Sequence, residues 1–140
     1  ANIIPFAFRG ELFSGTHNFA NGGNSFKIAL YTGNPYSTSS TAYLTGQEVS
    51  ASNTGYTTGG KVLASQAVAS GTAVASVDFA DSALASATFT AAFAAIYNDT
   101  NADKLCVVLD FGGNKTATNG TFTISFPDPS TPANAIISMA

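Results

Sequence analysis

The sequence predicts a mainly β protein, an antiparallel β-sandwich or jelly-roll-like domain with one short N-terminal helix. Apolar runs of strand length recur along the chain, and clusters of Asn, Asp, Gly, Ser and Thr, which favour turns, separate them. From Thr121 to Phe126 apolar and polar residues alternate strictly, which is the pattern of a half-buried strand. Short connections between such runs join antiparallel neighbours, so we expect about seven or eight antiparallel strands.

A single domain accounts for residues 1–140, and the composition excludes two classes of partner. Charged residues make up 9% of the chain and the formal net charge is −3. Nucleic-acid binding depends on clustered basic residues, and those of this chain are scattered. No apolar run approaches the roughly 20 residues of a membrane span, and no signal-peptide pattern opens the sequence, so we expect synthesis in a cytoplasm. The five basic residues are Arg9, Lys27, Lys61, Lys104 and Lys115.

The N-terminal arm, about residues 3–17, is the one segment that predicts a helix. Ile4, Phe8 and Leu12 recur at helical spacing, whereas Phe6 and Phe13 lie off that stripe. The segment is therefore apolar on more than one side. It either caps one end of a sheet or docks its extra phenylalanines on a neighbouring subunit. The candidate partner-binding residues are Phe6, Phe8, Leu12 and Phe13.

The strand predictions begin at Phe26–Thr32, where Phe26, Ile28 and Leu30 should point inward. Residues 33–60 are rich in Ser, Thr, Asn and Gly, and we expect a loop there with a short helical turn around 41–48. Two further strands are predicted over 61–69 and 72–80. In the second of them Val77 and Phe79 should share the inward face.

Residues 87–126 form the predicted scaffold, a meander of three strands over 87–97, 104–111 and 121–126. The turn Asn98–Asp103 and a loop over 112–120 should connect them. In the second strand Leu105, Val107, Leu109 and Phe111 should share one face. The alanine-rich run 91–95 indicates close sheet packing or burial against another subunit. A last strand is predicted over 135–139.

The sequence lacks the constellations that enzymes use, so we predict no catalysis and no cofactor. There is a single histidine, His17, which we expect to face solvent or cap the arm, and no Gly-x-Ser-x-Gly or phosphate-loop motif. Cys106 lies in an apolar run and predicts a buried, inert thiol. Asp99, Asn101 and Asp103 superficially match a calcium loop, but Lys104 stands where that loop needs glycine, which leaves at most a loose cation site at the hairpin tip.

Several segments, in order through nearly the whole chain, resemble the small virion proteins of tailed, cyanophage-type bacteriophages, most closely their capsid decoration or cement proteins. The resemblance implies a β-rich, often trimeric protein that ties neighbouring capsomers together on the capsid exterior. Its expected partners are the major capsid protein and two further copies of itself, and it would be made in the bacterial host's cytoplasm. It carries no catalytic motif to transfer. The segments are Phe26–Thr32, Glu48–Val49, Thr54–Leu63, Ala95–Asn98, Val108–Gly113 and Asn119–Ile124.

Other functions remain open on the sequence. The resembling segments are mostly scaffold and turn, so a tail or baseplate protein competes with capsid decoration. A carbohydrate-binding module on a virion fibre would be favoured if the loop and strand tyrosines formed one open face. A hydrolase would require His17 to meet an Asp and a Ser in a pocket. The tyrosines in question are Tyr31, Tyr36, Tyr43 and Tyr56.

Overall fold

The computed structural model describes residues 2–70, 73–127 and 136–139. It confirms a mainly β fold in which every strand pairing is antiparallel and one short helix lies near the N-terminus. The elements are α1 (Phe6–Phe13), β1 (Phe26–Tyr31), β2 (Lys61–Val62), β3 (Ala67–Ser70), β4 (Ala75–Asp78), β5 (Ser82–Asn98), β6 (Lys104–Ile124) and β7 (Ile137–Met139).

The strands form two sheets, in the orders β2-β1-β5-β6 and β3-β4-β7. The predicted strand 61–69 is wrong as a single element, because its two halves join different sheets. Ser65, with a φ of 54°, lies at the break between them. The predicted helix and the strands over 72–80 and 135–139 exist but are shorter, and residues 72 and 135 lie outside the described part.

The meander predicted for residues 87–126 is instead one long hairpin of β5 and β6. The loop predicted over 112–120 is wrong, since all of these residues lie within β6. Thr116, for example, pairs with Thr90. Gly112 and Gly113, both at positive φ, lie where the register shifts between Ala91 and Phe93. The stretch is polar because it is an exposed strand, and polarity alone does not distinguish a strand of this kind from a loop.

A β-bulge at Cys106 changes the predicted faces of β6. Ile96 pairs with Val107 and Tyr97 with Leu105, so Cys106 is an extra residue on β6. Leu105 therefore packs on one face of the sheet, while Cys106 and Val107 both pack on the other. The prediction that Leu105 and Val107 share a face is wrong for this reason.

The main core lies between the four-stranded sheet, α1 and the three-stranded sheet. Phe19 stacks on Phe26 with ring centroids 4.3 Å apart, and Phe79 contacts both rings edge-on. The predicted inward residues of three strands are confirmed as members of this core. They are Phe26, Ile28, Leu30, Val77, Phe79, Phe122, Ile124 and Phe126.

A second, smaller core covers the opposite face of the four-stranded sheet. Residues of the loop 33–48, including Tyr36 and Tyr43, pack there with Ile3 on Tyr31 and Tyr97. No helix occurs in this described loop, where the expected helical turn is a single turn from Thr45 to Glu48.

The alanine run 91–95 lies where both faces of the four-stranded sheet are covered. All four of its alanines are buried, because β5 lies between β1 and β6 and is packed on both faces. The run therefore fills the chain's own cores, and the expectation that it offers a flat face to another subunit is wrong.

Candidate interaction surface

Helix α1 divides the four predicted partner-binding residues into an inner and an outer pair. Phe8 is buried in the main core, and Leu12 is half-buried against it. Phe6 and Phe13 are 62% and 88% exposed. They stand seven residues apart, which is close to two helical turns, so both lie on the same outer side of α1. The outer pair is available to a partner, whereas Phe8 serves the chain's own core.

Backbone hydrogen bonds fix the N-terminal end of this arm, and a side-chain ion pair attaches its helix. The N–H and C=O of Ile3 pair with Val108, each at 2.9 Å, and the N–H of Phe6 donates to Thr38 at 2.9 Å. Within the helix, the carboxylate of Glu11 forms an ion pair with Lys104 Nζ on β6 at 3.1 Å. The exposed phenylalanines therefore stand on an ordered element.

His17 is buried, which contradicts the expectation that it faces solvent or caps the arm. Its Nε2 lies 2.9 Å from Glu11 Oε1 and its Nδ1 lies 3.0 Å from Asn98 Nδ2. The side-chain oxygen Oδ1 of Asn98 accepts from the N–H groups of Thr100 and Asn101, both at 3.1 Å, so the side-chain NH₂ group must face the histidine. His17 Nδ1 is then an acceptor, and Nε2–H donates to Glu11. This cluster ties the arm to the tip of the β5–β6 hairpin.

Cys106 completes the same cluster, with its Sγ 3.8 Å from His17 Nδ1. A thiol, an imidazole and a carboxylate are the groups of a nucleophilic triad. Here the thiol is fully buried, and burial, followed by the charge of Glu11, raises its pKa well above the usual range. The prediction of a buried thiol is confirmed, and the group is held protonated. His17 also meets neither the Asp nor the Ser that the hydrolase hypothesis requires.

An apolar groove separates α1 from the three-stranded sheet. One cavity of about 410 Å³ lies between Phe8, Leu12 and the strands β3, β4 and β7, and a neighbouring cavity of about 330 Å³ reaches Phe13. Arg9 borders the second cavity, and its guanidinium lies 5.4 Å from the ring centroid of Phe6. We call the exposed apolar side chains around this groove the helix patch, which consists of Phe6, Phe13, Val68 and Met139.

The tyrosines surround a carboxylate instead of forming an open face. Glu48 accepts the hydroxyls of Tyr43 and Tyr56, both at 2.5 Å, and the N–H of Gly59 at 2.9 Å. Tyr31 and Tyr36 share a hydrogen bond of 2.6 Å beside this group. Burial, the largest cause in each case, raises the pKa of all four of these tyrosines. This network secures the loop 33–60, and the open face that would favour sugar binding is not formed.

Two negative findings concern the described residues alone. Nowhere in residues 2–70, 73–127 and 136–139 do three His, Cys, Asp or Glu side chains gather closely enough to hold a metal ion. At the hairpin tip Asp99 instead lies 3.6 Å from Lys27 Nζ. Within the same ranges, no helix has the length and apolar character needed to cross a bilayer.

Sequence reasoning missed the two carboxylates that organise these clusters. Glu11 and Glu48 act through partners distant in the chain, and neither lies in a motif that signals its role. Comparisons with protein-family models, with curated proteins and with solved structures found no match to this chain.

Proposed function

We propose that this chain is a structural protein of a bacteriophage virion, a decoration protein that binds the major capsid protein on the capsid exterior as a homotrimer. The proposal rests on the resemblance of six segments to such proteins and, in the structure, on the helix patch. A trimer matches the local three-fold positions of a capsid, because a closed oligomer binds best at a site of its own symmetry. No catalysis, cofactor, nucleic acid or membrane is part of this role.

The exposure of Phe13 is the observation that carries the proposal. A side chain that is 88% exposed leaves nearly all of its apolar area in water, and Phe6 adds a second such ring on the same side. Because the arm is hydrogen-bonded to β6 and to the loop 33–48, these rings are held in place before a partner arrives. Pre-ordered aromatic anchors beside a groove are typical of the central contacts of interfaces.

The scarcity of charge supports the same role. The chain has only 13 charged residues, 8 acidic and 5 basic, if His17 is neutral. A surface covered mostly by Ser, Thr, Asn and Gly gives little colloidal repulsion, and it costs little desolvation when it packs against another protein.

The test compares the double variant Phe6→Ser/Phe13→Ser with the wild-type chain and with Leu44→Ser. Leu44 is a matched control, since it is 41% exposed, lies on the loop 33–48 and uses only backbone atoms in its hydrogen bonds. Light scattering gives the oligomeric state, and cosedimentation with empty shells of the major capsid protein gives the affinity. Burying one phenylalanine contributes about 1.5–3 kcal/mol, which is about a 10- to 150-fold change in affinity.

We expect a wild-type trimer that sediments with shells, a double variant that loses both properties, and a control that keeps both. Circular dichroism should show all three proteins folded. A wild-type chain that is monomeric and does not sediment with the shells would contradict the proposed function. Shell binding by the double variant at wild-type affinity contradicts the assignment of the helix patch.

A further inference from the structure

Strand β6 has a long open edge. It is the outermost strand of the four-stranded sheet, and the described residues cover only its first third, by bridges to Ile3 and Ala42. Asp110 is the last residue of this covered part, where its N–H donates to the side chain of Asn2. From Asn114 to Ile124, β6 pairs with β5 on one side, and no described residue forms a bridge on the other.

Other edges are protected by the devices that β proteins commonly use. The strands β2, β3 and β7 have two, four and three residues, too short to offer much of a template. The outer side of β5 in the same part of the hairpin is covered, because Thr88 N–H donates to Thr54 and the ammonium of Lys61 reaches the carbonyl of Ala83. The open edge of β6 is long, and none of the residues that the structure describes covers it. Between residues 114 and 124 it carries one charge, Lys115, and no proline.

The direction of the backbone groups on this edge follows from the pairing. Ala83 pairs with Thr123, and the carbonyl of Ala83 points away from β6 towards Lys61. In an antiparallel ladder both residues of such a pair direct their N–H and C=O groups away from each other. Thr123 therefore presents its N–H and C=O to the open edge, and alternation gives Thr121 the same direction.

A cavity lies beside these groups. It has a volume of about 340 Å³, and Phe111, Phe122 and Ile124 form its apolar wall. Lys115 lines the same cavity. An edge whose backbone groups pair with no described residue, next to a side-chain pocket, has the two parts of a strand-addition site. The backbone bonds provide affinity, and the pocket selects the side chain that enters it.

We propose that the open edge of β6 binds an extended segment of a partner protein, with an apolar side chain in the cavity and a carboxylate near Lys115. This site is separate from the helix patch, and the inference deepens the proposed function by naming a second contact to the capsid partner. A second copy of β6 fits this edge less well than an extended segment does. Eleven residues span about 35 Å, and an edge about 10 Å thick then buries about 350 Å² per partner, below the roughly 800 Å² of a standard interface. An extended segment can continue beyond the edge and does not need that area from the edge alone.

The test uses a labelled synthetic peptide of nine residues that alternates threonine and valine, with phenylalanine at its centre and glutamate near one end. Its partner in the assay is the full chain, and fluorescence anisotropy measures affinity. The variant Thr123→Pro removes the outward N–H without removing a bond to β5, and Thr123→Val is its control because it keeps that N–H. A peptide with N-methyl groups on its internal residues cannot donate backbone hydrogen bonds.

We expect saturable binding of the peptide, an amide shift at Thr121 and Thr123 in NMR spectra, and no binding of the N-methylated peptide. Loss of one backbone bond should weaken binding by about five- to tenfold in Thr123→Pro. Thr123→Val should bind like the wild type, and so should the variant Phe6→Ser/Phe13→Ser. NMR spectra that stay native for each variant show that folding is retained.

Three results would overturn the inference. The first is the absence of saturable binding at millimolar peptide. The second is equal affinity of Thr123→Pro and Thr123→Val for the peptide. The third is that the peptide does not bind, while the chain self-associates through β6 and Thr123→Pro abolishes that self-association. The last result would identify a second copy as the occupant. None of these results contradicts the proposed function in capsid decoration, since that function is tested separately through Phe6 and Phe13.

Discussion

Alkaline pH should unfold this protein over a narrow range, because its tyrosines keep their protons in the folded state. Burial is the largest cause that raises the pKa of each. Unfolded tyrosine ionises near pH 10. A raised folded-state pKa gives stability that is complete below the unfolded pKa and is lost as the pH rises towards the folded value. The five tyrosines are Tyr31, Tyr36, Tyr43, Tyr56 and Tyr97.

The size of the effect follows from four of these side chains. Tyr31, Tyr36, Tyr56 and Tyr97 are each no more than 6% exposed. Above pH 10, each of these tyrosines keeps its proton in the folded state and loses it in the unfolded state. Each such tyrosine lowers the free energy of unfolding by about 1.4 kcal/mol per pH unit, so the four together lower it by about 5 kcal/mol per pH unit. A domain of ordinary stability, about 5–15 kcal/mol, should then unfold between about pH 11 and 13. Cys106 contributes in the same direction, since burial raises the pKa of its thiol.

The assay combines urea unfolding at a series of pH values with the near-ultraviolet absorbance of tyrosinate. We expect the absorbance to rise together with the loss of circular dichroism, because tyrosines ionise only when the chain unfolds. The variant Tyr31→Phe removes one ionisable group, and its slope above pH 10 should be smaller by about 1.4 kcal/mol per pH unit. Gradual ionisation of all five tyrosines near pH 10, in a chain that stays folded, would refute the reasoning.

Two further predictions concern the core and the backbone. Phe122→Ala should lower the free energy of unfolding by about 3–5 kcal/mol, since Phe122 is buried in the main core, and Phe111→Ala by less, since Phe111 is half-buried. Equal losses in urea unfolding would mean that the two side chains are misplaced. Gly60→Ala should destabilise far more than Gly112→Ala, although both glycines have positive φ. A Cβ at Gly60 would lie 2.0 Å from the carbonyl oxygen of Ile28, whereas Gly112 faces open space. Thermal unfolding that ranks the two variants in the opposite order contradicts this close approach.

Local patterns predicted the strand faces where the ladder is regular. Phe122 and Ile124 point inward as their alternation indicates. The faces failed at Cys106, because a β-bulge adds a residue to one strand and no glycine or proline marks its position. The composition of the polar stretch after Gly113 predicted a loop, but the stretch pairs with β5 through its backbone. Backbone pairing leaves no mark on side chains that are exposed to solvent.

The sequence also predicted part of the candidate surface, because helical spacing shows which residues lie on different sides of a helix. Helical spacing separated Phe6 and Phe13 from Phe8, and the structure gives these side chains opposite exposure. The burial of His17 was not predictable, since its partners Asn98 and Cys106 are more than 80 positions away in the chain. A run of alanines likewise carries no sign of whether a partner or the chain's own second core covers it.

Electron cryo-microscopy of the intact phage particle tests the proposed function most directly. We expect density for this fold on the outside of the capsid at local three-fold positions. In that density the helix α1 should face a neighbouring copy or the major capsid protein, with Phe6 and Phe13 buried in the contact. Density for the fold in the tail or baseplate, or particles that lack the chain altogether, would contradict the assignment to the capsid.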